Sequence, residues 1–163
     1  MTESSKEAQL PARCINVHIR WMISRDMPEV VDIEFTSFDF PWGEEDFACC
    51  LRQRNCIGMV AEHEGQVVGF MIYELHKTRI HVLNFAVHDE FRRMSIGRQM
   101  CGKLIGKLSS QRRNRISLEV SERNLDAQLF FREIGFRASK VLRDFWDGVD
   151  AYLMTYHYKG DEG

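Results

Sequence analysis

The sequence predicts a mixed α/β fold built on a single sheet, from three observations. Short runs of alternating or continuous apolar residues recur along the chain and read as strands. Between them lie segments whose apolar positions repeat at helical spacing. Some connections carry tight-turn chemistry, His63-Glu64-Gly65-Gln66 and Asp147-Gly148, which joins neighbouring antiparallel strands. The element order is β-α-α-β-β-β-α-β-α-β-β, a mixed sheet in one layer system.

Each element has its own reason. Val17 to Met22 roughly alternates and predicts a first strand. Ser24-Arg25-Asp26-Met27-Pro28 places capping residues before a proline, a helix-start signal, and the helix runs to about Ser37. Phe38 to Gly43 is an aromatic loop. Glu44, Glu45 and Asp46 put acids in the first turn of a second helix, which continues to about Arg54. Cys56 to Ala61 and Val67 to Tyr73 are strands joined by the first tight turn, with Gly65 supplying the positive φ. Thr78 to Val87 is another strand. From Ile96, the positions Met100, Leu104 and Leu108, with Cys101 and Ile105 beside them, form the most periodic helix. Arg115 to Ser121 alternates cleanly, with Ile116, Leu118 and Val120 on one face and Ser117, Glu119 and Ser121 on the other. Asn124 is an N-cap for a helix through Ile134, and Gly135 stands at its C-terminal cap. Phe136 to Leu142 and Asp150 to Tyr158 complete the sheet.

Length and composition bound the function. A chain of 163 residues suits one domain with a substantial core. We expect a flexible lead-in over 1–16, a single domain over 17–158 and a frayed end over 159–163. A net charge of −2 argues against a dedicated nucleic-acid binder. The basic run Gln111 to Arg115 lacks interleaved aromatics and reads as a solvated helix end. Five cysteines at irregular spacing, with no C-x-x-C, argue against a disulfide framework or zinc site; we expect reduced thiols and no metal. The six histidines follow no metal-ligand pattern and read as structural or surface residues. No stretch is long and apolar enough for a transmembrane helix, and the first dozen residues lack a signal-peptide core. A cytoplasmic protein with no membrane partner is the expectation.

Functional interest gathers at Val87 to Arg98, where a strand passes through a basic turn into a helix. The first helical turn has unpaired N–H groups and the positive end of the helix dipole, so it suits a phosphate-bearing ligand. Arg92, Arg93 and Arg98 add fixed charge, and Gly97 permits close approach to the backbone. The alternative is a basic surface turn.

The element order and this turn resemble the GNAT superfamily of acyl-CoA-dependent N-acetyltransferases. The pyrophosphate motif of that family, R/Q-x-x-G-x-G/A, appears as Arg92-Arg93-Met94-Ser95-Ile96-Gly97, with Ser95 in place of the first glycine. Further segments resemble the ribosomal-protein-alanine and related protein N-terminal acetyltransferases: Phe40 to Glu45, Leu118-Glu119-Val120, Asn124, Ile134-Gly135-Phe136 and Arg143 to Met154. The resemblance spans roughly Val17 to Tyr158. It implies a GNAT-like fold with a splayed central sheet and acetyl-CoA as cosubstrate.

The implied chemistry is direct transfer of acetyl from a thioester to a neutral amine, most simply a protein N-terminal α-amine or peptide amine. An α-amino group titrates near pH 8 and a lysine near 10.4, so an N-terminus asks less of a base. By resemblance Glu119 is the catalytic base. Phe85, Ala86 and Val87 present backbone to the pantetheine. Arg92, Arg93, Met94, Ser95, Ile96, Gly97 and Arg98 hold the pyrophosphate. Asn124 and Phe131 line the cofactor, and Phe40, Trp42, Phe145 and Trp146, in two loops, flank the acceptor. Phe131 stands where the family carries its tyrosine acid; Tyr73, Tyr152 and Tyr156 are the substitutes considered. Glu34, Asp39, Glu44 and Glu45 either hold a cationic amine or are helix-end charges. A monomer or weak homodimer is expected, with no nucleic-acid partner. A GNAT acting on a small-molecule amine, and a CoA-binding module with weak transfer activity, are the alternatives.

Overall fold

A computed structural model describes residues 14–160. The expectations for residues 1–13 and for Asp161, Glu162 and Gly163 lie outside them. Strand β1 (His18–Trp21) leads through a short 3-10 turn, Ser24–Asp26, into α1 (Met27–Ser37) and α2 (Glu44–Leu51). Strands β2 (Cys56–His63), β3 (Gln66–Leu75) and β4 (Arg79–Val87) follow as a meander. Then come α3 (Ile96–Ile105), β5 (Arg115–Ser121), α4 (Leu125–Ile134), β6 (Arg137–Trp146) and β7 (Val149–His157). The seven strands form one sheet in the order β1-β2-β3-β4-β5-β7-β6, the mixed α/β arrangement the sequence predicts.

All neighbouring pairs are antiparallel except β4 and β5. A parallel pair needs a crossover, and α3 supplies it. The β4–β5 register starts at Arg79↔Arg115 and ends at Val82↔Leu118. Beyond it, β3 still pairs β4 as far as Val87 and β7 still pairs β5 as far as Ser121. The two middle strands therefore part, each held by its outer neighbour.

Burial follows strand alternation. Ile116, Leu118 and Val120 pack with Ile80, Val82, Met100, Leu104 and Phe131 in the larger core, under α3 and α4. On the other face Val30, Ile33 and Phe47, from α1 and α2, close a second core over Val60, Phe70 and Ile72 of β2 and β3. At about 25 cal/mol per Å² of buried apolar surface, these layers dominate the stabilisation.

Several local expectations change. Helix α2 ends at Leu51, short of Arg54, because Gln53 N–H and Cys56 N–H turn back onto the Cys50 and Gln53 carbonyls to start β2. Strand β6 runs on to Trp146, so Phe145 and Trp146 belong to a strand end and not to a loop. The basic run at 111–115 is not a helix end: α3 stops at Ile105, and Ser109 N–H closes a loop onto the Arg113 carbonyl. Residues 14–17 are strapped down, since the Gln99 side chain donates to the Ile15 carbonyl at 2.6 Å and accepts from Val17 N–H at 3.1 Å.

Gly135 ends α4 at φ 128°, and a Cβ there would stand 3.0 Å from the Tyr156 ring. Gly135→Ala should therefore destabilise the protein by about 1–3 kcal/mol from the backbone alone. A urea unfolding midpoint unchanged from the parent would refute this.

Candidate active site

The splay between β4 and β5 leaves residues 83–87 and 119–121 without each other as partners. Side chains on the α1–α2 face of the sheet look onto this opening. Glu119 is one of them, because Leu118 and Val120 on either side point into the larger core. Its carboxylate is hydrogen-bonded to His81, with Oε2 3.0 Å from Nε2. The His81 Nδ1 lies 2.7 Å from Ser117 Oγ, and Arg79 Nη1 donates to that hydroxyl at 3.4 Å.

The chain has one consistent direction. An ionised Glu119 only accepts, so the hydrogen of a neutral His81 is on Nε2. Nδ1 is then the acceptor and Ser117 Oγ–H donates to it. His81 and Ser117 are buried, while the Glu119 side chain retains 20% exposure. The fixed end is inside and the exposed end is the carboxylate. Such a pair can take a proton from a group entering the splay. Among the histidines, which the sequence reads as structural or surface residues, His81 is a buried one that meets Glu119: it sits opposite Ser117 in the β4–β5 register, two residues before Glu119. The signal in the sequence was the alternation of β5 set against a histidine in the neighbouring strand.

Glu34 is the second carboxylate of interest. It is 2% exposed, so it is neither a helix-end charge nor an open amine site. Its Oε1 accepts from Trp42 N–H at 2.9 Å and its Oε2 from Asn84 Nδ2 at 2.8 Å. Burial pushes the Glu34 carboxyl above its ordinary value, against the pull of these two donors. Asn84 Oδ1 in turn accepts from Phe85 N–H at 2.9 Å. One buried carboxylate thus links α1, the aromatic loop and the splayed part of β4. Asp39, Glu44 and Glu45 are exposed.

The turn into α3 carries Arg92, Arg93 and Arg98 around the first helical turn. Ser95 is the N-cap with φ 65° and makes no side-chain cap, so the N–H groups of the first turn are not covered by their own cap. Its left-handed backbone explains the family's glycine at this position. Arg93 is also left-handed at φ 62°. Arg92 donates to the Val87 carbonyl at 3.3 Å and Ser37 Oγ at 3.4 Å, tying the turn to β4 and α1. Arg98 pairs with Glu133 of α4 at 3.1 Å, with both side chains exposed. At Gly97 a Cβ would meet Phe130 Cζ at 2.9 Å, so its bareness also admits an aromatic ring of α4.

Phe131 is buried among Phe85, Phe130 and Phe136, with ring centroids 5.4, 5.0 and 5.3 Å away. Tyr73 and Tyr156 are also buried in this larger core, and Tyr152 packs against it. Asn124 commits its side-chain oxygen to Ala127 N–H at 3.1 Å, capping α4. The aromatics form two pairs: Trp42 against Phe47 at 5.2 Å, and Phe145 against Trp146 at 4.6 Å. Phe40 and Phe145 are the exposed members, while Trp42 and Trp146 are half-buried.

A sheet splayed beside a crossover helix, with a basic turn leading into that helix and a carboxylate in the gap, is the frame of the acyl-CoA-dependent transferases. Residues 27–136 match the Acetyltransferase (GNAT) family, and the chain belongs to it. It is an N-acetyltransferase that takes acetyl-CoA as cosubstrate, as the resemblance implied. It is 26% identical to the N-alpha-acetyltransferase of Sulfolobus acidocaldarius, over 95% of this chain and 97% of that protein. It is 25% identical to the ribosomal protein bS18-alanine N-acetyltransferase of Salmonella typhimurium, over 80% of this chain and 90% of the other. The structure of Ard1 from Thermoplasma volcanium superposes with a TM-score of 0.81 at 26% identity, covering 90% of this chain and all of that one.

The buried Glu34 has a consequence for pH. A carboxyl raised in the folded state binds its proton more tightly there than in the unfolded chain. Its contribution is therefore greatest at low pH and declines as pH rises from the ordinary value of 4.5 toward the raised one. The difference in Tm between the parent and Glu34→Gln should shift in favour of the parent as pH falls through that window. Parallel melting curves at every pH would exclude it.

Proposed function

We propose that this acetyltransferase acts on the α-amino group of protein N-termini, with 17–158 as its single catalytic domain. The observation that carries the mechanism is the Glu119–His81 hydrogen bond at the mouth of the β4–β5 splay. In support of the acceptor, the two relatives described above are named for α-amine or ribosomal-protein-alanine acetylation and align over most of this chain.

In this reading Glu119 takes the proton that the attacking amine must lose. His81, donating through Nε2, fixes the orientation of the carboxylate. Acetyl-CoA supplies the activated acetyl thioester. The free edge at Phe85, Ala86 and Val87 holds its amide groups through backbone bonds, as an added strand would. The first-turn backbone from Met94 to Gly97, with Arg92, Arg93 and Arg98, holds its phosphates. Phe131 packs beneath the thioester and donates no proton. A free thiol titrates near pH 8.5, so the departing thiolate leaves without a dedicated acid. Asn124 stands at the cofactor side as the cap of α4. Phe40 and Phe145 form the apolar flanks of the acceptor channel, backed by Trp42 and Trp146. The reading carries with it a cytoplasmic location and a monomer or weak homodimer.

Thiol release from acetyl-CoA tests this directly. The acceptors are peptides beginning with Ala, Ser or Met, the same peptides with blocked N-termini, and small amines. Release should require a free peptide α-amine. Glu119→Gln should lower kcat/KM by about 10²–10⁴-fold, the usual value of a positioned base. His81→Gln should lower it by about tenfold, with KM for acetyl-CoA unchanged. Equal release from blocked peptides, or release with small amines alone, would sink the acceptor assignment. Full activity in Glu119→Gln would remove the base.

A further inference from the structure

The net charge of −2 conceals a segregated distribution. Residues 91–118 contain eight of the 22 Lys and Arg residues and none of the 24 Asp and Glu residues. The first three of the eight, Arg92, Arg93 and Arg98, belong to the phosphate-binding turn already described. Lys103, Lys107, Arg112, Arg113 and Arg115 do not. They lie along α3 and beyond its C-terminus; Lys103, the nearest to the turn, is five residues and about 7.5 Å past Arg98 at 1.5 Å per residue.

The fold gathers this second group with cations from another strand. Asn114 N–H donates to the Thr78 carbonyl at 2.9 Å, and Arg113 Nε to the His76 carbonyl at 2.7 Å. The loop after α3 is thereby fixed against the turn between β3 and β4. Arg79 and Arg115 are paired in register at the start of the parallel ladder. Lys77, Thr78, Gln111, Arg112 and Arg113 line a surface cavity of ≈ 330 Å³ between the two segments. Lys103 on α3 and Lys107 in the turn just after it are exposed and continue the charge. The acid on the adjoining end of β3, Glu74, is engaged by His76 at 3.2 Å.

We propose that this ridge, from Lys103 to the cavity at Lys77, Arg112 and Arg113, is a docking surface for the phosphodiester backbone of a polynucleotide. The surrounding groups argue for phosphate. Arginines and lysines are interspersed with Ser109, Ser110, Gln111, Asn114 and Thr78, the side chains that contact phosphate and sugar oxygens. A protein partner would need a buried aromatic or aliphatic anchor. Every exposed large hydrophobic among the described residues lies outside 91–118. The same absence disfavours insertion into a lipid surface, which takes an apolar helix face. Without aromatics to stack on bases, the contact reads backbone and charge, not sequence. The expectation of no nucleic-acid partner rested on whole-chain net charge, which is insensitive to where charges lie, and on the lack of interleaved aromatics, which bears on base stacking and not on phosphate contact.

The test is direct binding of the full chain to a labelled 20-base-pair RNA duplex and to DNA of the same sequence, read by fluorescence anisotropy. Binding should weaken on the order of 100-fold between 50 and 200 mM salt, as for about four released counterions. The triple charge reversal Lys103→Glu, Lys107→Glu, Arg112→Glu should weaken it at least tenfold, with the melting temperature and peptide acetylation unchanged. Saturating acetyl-CoA should leave RNA affinity unchanged. Binding of both duplexes marks backbone charge, and binding of RNA alone marks a preference for A-form geometry or the 2′-hydroxyl; either supports the proposal. It is overturned if neither duplex binds at 50 mM salt, if the triple variant binds like the parent, or if acetyl-CoA displaces the RNA. Equally tight binding of polyglutamate, lost in the same variant, would reassign the ridge to an acidic protein. None of these readouts depends on the acceptor assignment.

Discussion

The parting of β4 from β5 is the constraint from which the rest follows. Four register pairs hold the parallel ladder together, and then β3 and β7 carry the two strands away from each other. Unpaired backbone groups inside a protein are costly unless something satisfies them. Here they face a gap that an extended, amide-bearing ligand can enter. The same geometry sets the start of α3 just beyond the open end of β4. It also leaves Glu119 at the first position of β5 past the last β4–β5 pair.

Two carboxylates on the α1–α2 face show how environment divides labour. Glu119 keeps one side open, and its fixed partner, His81, is held from behind by Ser117 and Arg79. Glu34 has both oxygens occupied and is shut off from solvent. The first arrangement suits proton transfer. The second fixes the aromatic loop relative to the free edge of β4 through one buried group. A hydrogen-bonded carboxylate can hold three elements together because its acceptors are satisfied from different directions.

Much of the frame was legible in local pattern. The alternation of β5 placed Glu119 opposite the core, and Asn124 with Gly135 bracketed α4 correctly. These features depend on neighbours within a few residues. The misread features depend on distant ones. What fills the space beside Gly97 is Phe130, which is far along the chain. Helix α2 is the exception: it stops where the Gln53 and Cys56 N–H groups turn back onto carbonyls three residues earlier. Phe145 and Trp146 are strand residues because β7 extends the hairpin. Ser95 could be flagged as a departure from a glycine, but its left-handed backbone is visible only in the folded turn.

The sequence by itself determined the element order, the mixed sheet, the basic turn before α3 and the family resemblance. Each is written in short-range periodicity, capping and turn residues, which act before the chain is compact. Only the tertiary structure decided that His81 would meet Glu119, that Glu34 would be buried between Trp42 and Asn84, and that cations from the β3–β4 turn would join those after α3. Those outcomes are set by strand register and layer packing. A one-residue change of register would turn every side chain of a strand to the opposite face.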